Sequence, residues 1–165
     1  MAKQSAGILL FRKKNGGTEV LLVHPGGPFW ARKDAGAWSI PKGEFAEGEE
    51  SLAAAKREFA EELGRPAPKG ELIELGQAKQ SSGKIAYAWA VEADFDATNI
   101  TSNSFQVEWP PKSGQQQEFP EVDRAAWFSI QTARTKLVKD QSSLLQVLAR
   151  HLGEQASPPE QTTLL

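Results

Sequence analysis

The sequence predicts a mixed α/β fold in which strands pack in layers against helices, and three observations carry that prediction. Two apolar runs near the start, Ala6 to Phe11 and Val20 to Val23, flank Lys13-Lys14-Asn15-Gly16-Gly17, and Asn-Gly between apolar runs marks a hairpin. The stretch from Glu49 to Leu63 lacks Pro and Gly and carries apolar residues at helical spacing. Alternating segments then lead into a leucine-rich C-terminal helical region that Ser129 can cap.

The first two runs read as paired strands. His24 to Gly36, rich in Gly, Pro and aromatic residues, reads as a loop long enough to carry function. Ala37 to Ile40 is a short strand-like piece ended by Pro41. In the helix that follows, Leu52, Ala55, Phe59 and Leu63 form the buried stripe, and Gly64 and Pro66 stop it. Glu71 to Gln77 and Lys84 to Glu92 alternate as strands do, the second placing Ile85, Tyr87, Trp89 and Val91 on one face. Phe105 to Trp109 and Ala125 to Phe128 are two further strands; Pro110 to Gln117 is a loop between them, with Glu118 at its far end. Leu137, Leu144, Leu145, Val147, Leu148 and Leu152 supply the apolar faces of the last helical region. Residues 1–152 make a single domain, and 153–165, with Ser157-Pro158-Pro159, read as a frayed tail.

At 165 residues the chain is long enough to bury a core of its own, and 39% hydrophobic with 24% charged residues describes an ordinary globular protein. A formal charge of -2 offers no basic field for a nucleic-acid backbone, which disfavours general DNA or RNA binding. The absence of Cys excludes disulfides, thiolate catalysis and thiolate zinc sites. The start shows no secretory pattern and no stretch reaches the roughly 20 apolar residues of a spanning helix, so a cytoplasmic protein without a membrane partner is the expectation.

Chemistry concentrates between Trp38 and Arg65. Glu58, Glu61 and Glu62 stand at i, i+3 and i+4 of the helix, so their carboxylates share one side, with Arg57 adjacent and Glu49 at the helix mouth. Three such carboxylates form a hard, oxygen-rich surface suited to Mg²⁺ or Mn²⁺, ions that share their ligands with substrate phosphates. From Gly43 the spacing is Gly, five residues, Glu49, seven residues, Arg57-Glu58, apolar Phe59, one residue, Glu61-Glu62, one residue, Gly64. Chance produces that pattern on the order of once in a million chains at ordinary residue frequencies.

The pattern resembles the signature of the Nudix hydrolases, with Arg65 standing where the family has an aliphatic residue. The resemblance implies an α/β/α sandwich with a mixed central sheet. It also implies Glu58 and Glu62 as principal metal ligands, Glu61 as ligand or catalytic base, the Lys42 backbone carbonyl as a further ligand, and Arg57 paired with Glu49 as support for the site. Pro41 and Gly43 shape a backbone turn, leaving the Lys42 side chain to meet substrate phosphates. Glu118 is the candidate extra acid in the late loop, with Glu121 or Asp123 as substitutes.

The activity so implied is Mg²⁺- or Mn²⁺-dependent cleavage of a phosphoanhydride in a nucleoside diphosphate linked to another group. "Trp-Ser-Ile-Pro-Lys-Gly" is most similar to the branch acting on dinucleoside polyphosphates and nucleoside triphosphates. The alternatives are removal of a 5′-terminal diphosphate from RNA, a non-catalytic nucleotide-sensing module, and an interaction domain; the oligomeric state is open. Trp30, Trp38 and Trp109 border loops and offer faces for a nucleobase, although packing is the commoner use of Trp. His24 reads as closing a strand, and Arg12, Lys13 and Lys14 as solubilising hairpin charges.

Overall fold

The computed structural model describes residues 3–153; of the tail expected over 153–165, all but its first residue lies outside the described residues. The N-terminal hairpin forms as the sequence predicts: β1 (Gln4–Lys14) and β2 (Gly17–Pro25) pair antiparallel, with Asn15 and Gly16 both at positive φ in the turn between them. Next come β3 (Lys42–Phe45), α1 (Ser51–Leu63), β4 (Leu72–Lys79) and β5 (Ile85–Glu92). β6 (Ser104–Glu108), β7 (Gln116–Pro120), β8 (Val122–Ser129), α2 (Ile130–Lys136) and α3 (Ser142–His151) complete the order, with a 3-10 turn at Lys139–Gln141 between the last two helices.

The main sheet runs β4-β5-β1-β2-β8, and it is mixed, because β1 pairs parallel with β5 and antiparallel with its other neighbours. β3 pairs with the first part of β1, Gly7 opposite Lys42, while β2 takes the second part. Apolar residues on both faces of β1 and β2 explain why these strands read as continuous runs rather than alternations. Ala6, Ile8, Leu10, Leu21 and Val23 pack toward Ala54, Ala55, Phe59 and Leu63 of α1. Leu9, Phe11, Val20 and Leu22 pack on the other side, where Ala133, Leu144, Leu145 and Leu148 of the terminal helices join them. The result is the expected α/β/α sandwich with two cores, one per face of the sheet.

Three expectations change in detail. Ala37 to Ile40 makes only isolated bridges, Ser39 with Val23 and Trp38 with Leu137. The strand begins after Pro41, since Pro41 has no N–H to offer a ladder but its carbonyl accepts from the Ile8 amide at 3.2 Å, so it leads into β3 instead of ending a strand. Gln116–Pro120, read as loop and loop end, is β7, paired with β6 in a separate two-stranded ribbon with Phe119 opposite Phe105. Its polar sequence carries no alternation; only the ribbon partner makes it a strand. On α1 the buried stripe takes in Ala54 and Glu58, while Leu52 is half-buried. At the other end Ser129 caps α2 as expected, its hydroxyl accepting from the Thr132 amide at 3.1 Å.

Candidate active site

The acidic helix meets the sheet at β3, and a glycine makes the meeting possible. A Cβ on Gly43 would lie 1.8 Å from Oε1 of Glu58, so the carboxylate occupies the space that any side chain there would need. Glu58 is 8% exposed, and burial raises its pKa above the ordinary carboxylate value while Arg57 pulls it down.

Arg57 organises the neighbouring acids. Its Nε and Nη2 donate to the two oxygens of Glu49 at 2.9 and 3.1 Å, a bidentate pair that ties the helix mouth to the helix. Nη1 donates to Glu58 Oε2 at 2.6 Å and to Glu61 Oε2 at 3.3 Å. These bonds, that with Glu49 foremost, hold the guanidinium well above its usual pKa and keep Glu49 below the ordinary range.

Glu62 stands apart from this network. Its Oε1 is buried with no hydrogen-bond partner, and burial pushes its pKa up to about 8. The Lys42 ammonium and the Lys42 backbone N–H oppose that rise, and the charges of Glu58 and Glu121 add to it. Lys42 is shifted the other way: burial lowers its pKa, aided by Lys84, against the pull of Glu62, Glu44 and Glu58.

A cleft of about 350 Å³ opens over this pair, lined by Lys42, Glu62 and Glu121 at its charged end and by Trp30, Val23 and Val138 elsewhere. Two larger depressions, about 770 and 680 Å³, contain none of the helix carboxylates. Among the described residues no three His, Cys, Asp or Glu side chains stand grouped to hold an ion; Arg57 engages Glu58 and Glu61. The donors nevertheless fit a hard divalent cation. The candidate side chains are all carboxylates, and the buried Oε1 of Glu62, which has no hydrogen-bond partner, is an acceptor that a cation would satisfy.

The family model for the NUDIX domain matches residues 1–148. The chain belongs to the Nudix family. Its fold is the Nudix sandwich and, with the box carboxylates all present, it is a Nudix pyrophosphohydrolase. Among solved structures it is similar to a binary complex of the C. elegans Ap4A hydrolase, at 19% identity over 92% of this chain and 98% of that one, TM-score 0.62. It is also similar to the NUDIX domain of Shewanella oneidensis NrtR complexed with ADP ribose, at 17% identity over 92% and 89%, TM-score 0.61. A third similar structure is the Nudix hydrolase RenU of M. smegmatis, at 20% identity over 91% and 85%, TM-score 0.60. No curated protein sequence matches the chain.

Within the Nudix box, Arg65 stands where an aliphatic residue is expected and packs on Phe95. Its guanidinium lies 4.0 Å from the Phe95 ring centroid, and Nη2 donates to the carbonyls of Asp96 and Asn99 at 2.7 and 3.0 Å. Cation-π stacking does the packing that an aliphatic chain would do.

The later acids sort themselves by position. Glu118 is exposed on β7 opposite Gln106 and does not line the cleft, whereas Glu121 does. Asp123 contacts Nδ1 of His24 at 2.8 Å, and His24, fully buried with Nε2 2.6 Å from the Lys33 carbonyl, serves the strand end as expected. The tryptophans also divide: Trp38 is 3% exposed in the core and cannot take a base, Trp109 packs edge-on against Phe29, and Trp30, 40% exposed, faces the cleft. Arg12 is engaged by Glu19 and Asp94 and stacks over Trp127, outside the cleft.

Proposed function

We propose that this Nudix protein hydrolyses, with Mg²⁺ or Mn²⁺, a phosphoanhydride in a nucleoside diphosphate linked to another group, a dinucleoside polyphosphate or nucleoside triphosphate before others. The observation that carries the reading is Glu62: an unpartnered buried carboxylate oxygen beside Lys42, at the charged end of a cleft whose rim bears an exposed Trp. The similarity to an Ap4A hydrolase and to a domain complexed with ADP ribose supports a substrate of this class.

In this reading Glu58 and Glu62, with the Lys42 carbonyl, would hold the cation, and Glu61 would join them where it is not the base. When bound, a divalent cation supplies charge neutralisation on the diphosphate and acidifies a water. The Lys42 ammonium, whose proton the surrounding carboxylates help retain, binds phosphate oxygens. Arg57 keeps Glu49 and the loop before α1 fixed, so that the carboxylates keep their places. Glu61, with Glu121 as the alternative, accepts a proton from the attacking water. Trp30 offers its face to the nucleobase.

The test is product analysis with Mg²⁺ and a panel of nucleoside triphosphates, dinucleoside polyphosphates, nucleotide sugars and 5′-triphosphorylated RNA, beside the Glu62→Gln variant. Cleavage that depends on Glu62 establishes the reaction and its products name the substrate class. Binding without cleavage across the panel would overturn the proposed substrate class.

A further inference from the structure

We propose that Gln141 is a positioning residue for this site: a buried amide on the 3-10 turn between α2 and α3 that fixes the backbone presenting Lys42 to cation and diphosphate. The proposal rests on the hydrolase reading above. Gln141 is 1% exposed, and neither of its polar atoms serves its own turn. Oε1 accepts the Ile40 backbone N–H at 2.9 Å, and Nε2 donates to the Ser39 hydroxyl at 3.0 Å. That hydroxyl in turn donates to the Ile40 carbonyl at 2.7 Å. Three hydrogen bonds thus close a ring around the Ser39–Ile40 peptide and leave it one orientation.

That orientation is passed on to Lys42. Pro41, with its φ locked by the ring, is the only residue between Ile40 and Lys42, so a turn of the Ile40 peptide moves the Lys42 backbone with little slack. Lys42 and Glu62 in turn line the same cleft, which Gln141 also borders. The turn carrying Gln141 has its own anchorage: the Val138 amide donates to the Trp38 carbonyl at 2.7 Å, and the Gln141 amide to the Val138 carbonyl at 3.0 Å. An apolar residue at 141 would fill the same space but leave the buried Ile40 N–H without an acceptor, and Gln141 itself lines the cleft.

The experiment uses the full chain and its Gln141→Met and Ser39→Ala variants. Mn²⁺ affinity is measured by electron paramagnetic resonance, melting temperature by calorimetry, and kcat and KM with a dinucleoside tetraphosphate. In Gln141→Met we expect Mn²⁺ affinity roughly tenfold weaker and a fall in kcat larger than any rise in KM, as for loss of a group that orients ligands. Ser39→Ala removes two of the three hydrogen bonds but leaves Ile40 its acceptor, so its Mn²⁺ affinity should fall between those of the parent and Gln141→Met; a Ser39→Ala loss larger than that of Gln141→Met would overturn the proposal. Gln141→Met that binds Mn²⁺ and turns over as the parent does, with only a lower melting temperature, overturns the proposal and leaves Gln141 a packing residue. Should Gln141→Met not fold, amide exchange in the parent decides: Mg²⁺ slowing Ile40 and Lys42 together supports the coupling, and slowing at Lys42 alone overturns it. A parent that binds no Mn²⁺ overturns this proposal together with the reading beneath it, whereas binding by the parent beside an unaffected variant overturns this proposal alone.

Discussion

At Glu62 two costs oppose each other. Ionised, the buried carboxylate has an oxygen with nothing to satisfy it; protonated, it cannot serve a cation. Its pKa of about 8, against an ordinary 4.5, means that between those values the folded state holds a proton the unfolded state has lost. Stability of the metal-free protein therefore falls as pH rises from about 4.5 to 8 and loses nothing further above that, and Glu58, raised in the same direction, adds to the trend. Glu62→Gln should flatten the pH dependence of metal-free unfolding while lowering turnover by on the order of 10²- to 10³-fold; a steep pH dependence surviving in the variant would place its source elsewhere. At the cleft rim, Trp30→Ala should raise KM for a nucleotide and leave KM for inorganic triphosphate unchanged, because only the former has a base to stack, a contact worth about 1–3 kcal/mol. Equal effects on both would remove Trp30 from base recognition.

Between elements, the decisive contact is β3 against α1. Glu58 reaches into the space over Gly43, and its carboxylate is the mobile end of a side chain, so a methyl group there displaces the carboxylate more readily than it separates strand from helix. Gly43→Ala should thus reduce activity by on the order of 10²-fold, as loss of a fixed active-site group does, with a stability cost of only about 1–3 kcal/mol. Phe59→Ala on the same helix inverts the ratio. It empties a fully buried site that packs edge-on to Phe95, which should cost about 3–5 kcal/mol, and any activity lost should return where the variant is folded. Denaturant midpoints and initial rates on both variants separate the two behaviours. The box helix was legible in the sequence because its signals are local: helix formers without interruption, a glycine stop and acids at fixed spacing. β3 and β7 were not, since each becomes a strand only by pairing with a segment distant in sequence, β3 with β1 and β7 with β6.

For the molecule as a whole, the two cores hold the sheet rigid while the cleft gathers residues from β2, β3, α1, the segment after β7 and the turn between α2 and α3. Cation binding to the ionised site is then a whole-molecule stabilisation by mass action. Mg²⁺ at a fixed saturating concentration should raise the melting temperature more at pH 8 than at pH 5, because at the lower pH the ion must first displace the Glu62 proton. An equal shift at both values would show that Glu62 is not a ligand. By itself the sequence determined the family, the hairpin, the box helix, the carboxylates at its face and the pairing of Arg57 with Glu49, all features whose information lies within about twenty residues. Only the tertiary structure decided that Glu121 and not Glu118 meets the cleft, that Trp30 and not Trp38 is open to a base, that Arg65 packs on Phe95, and that Gln141 holds Ile40. Those placements depend on which distant segments pack together, and a single side chain brought in by such packing has no neighbours in sequence to announce its role.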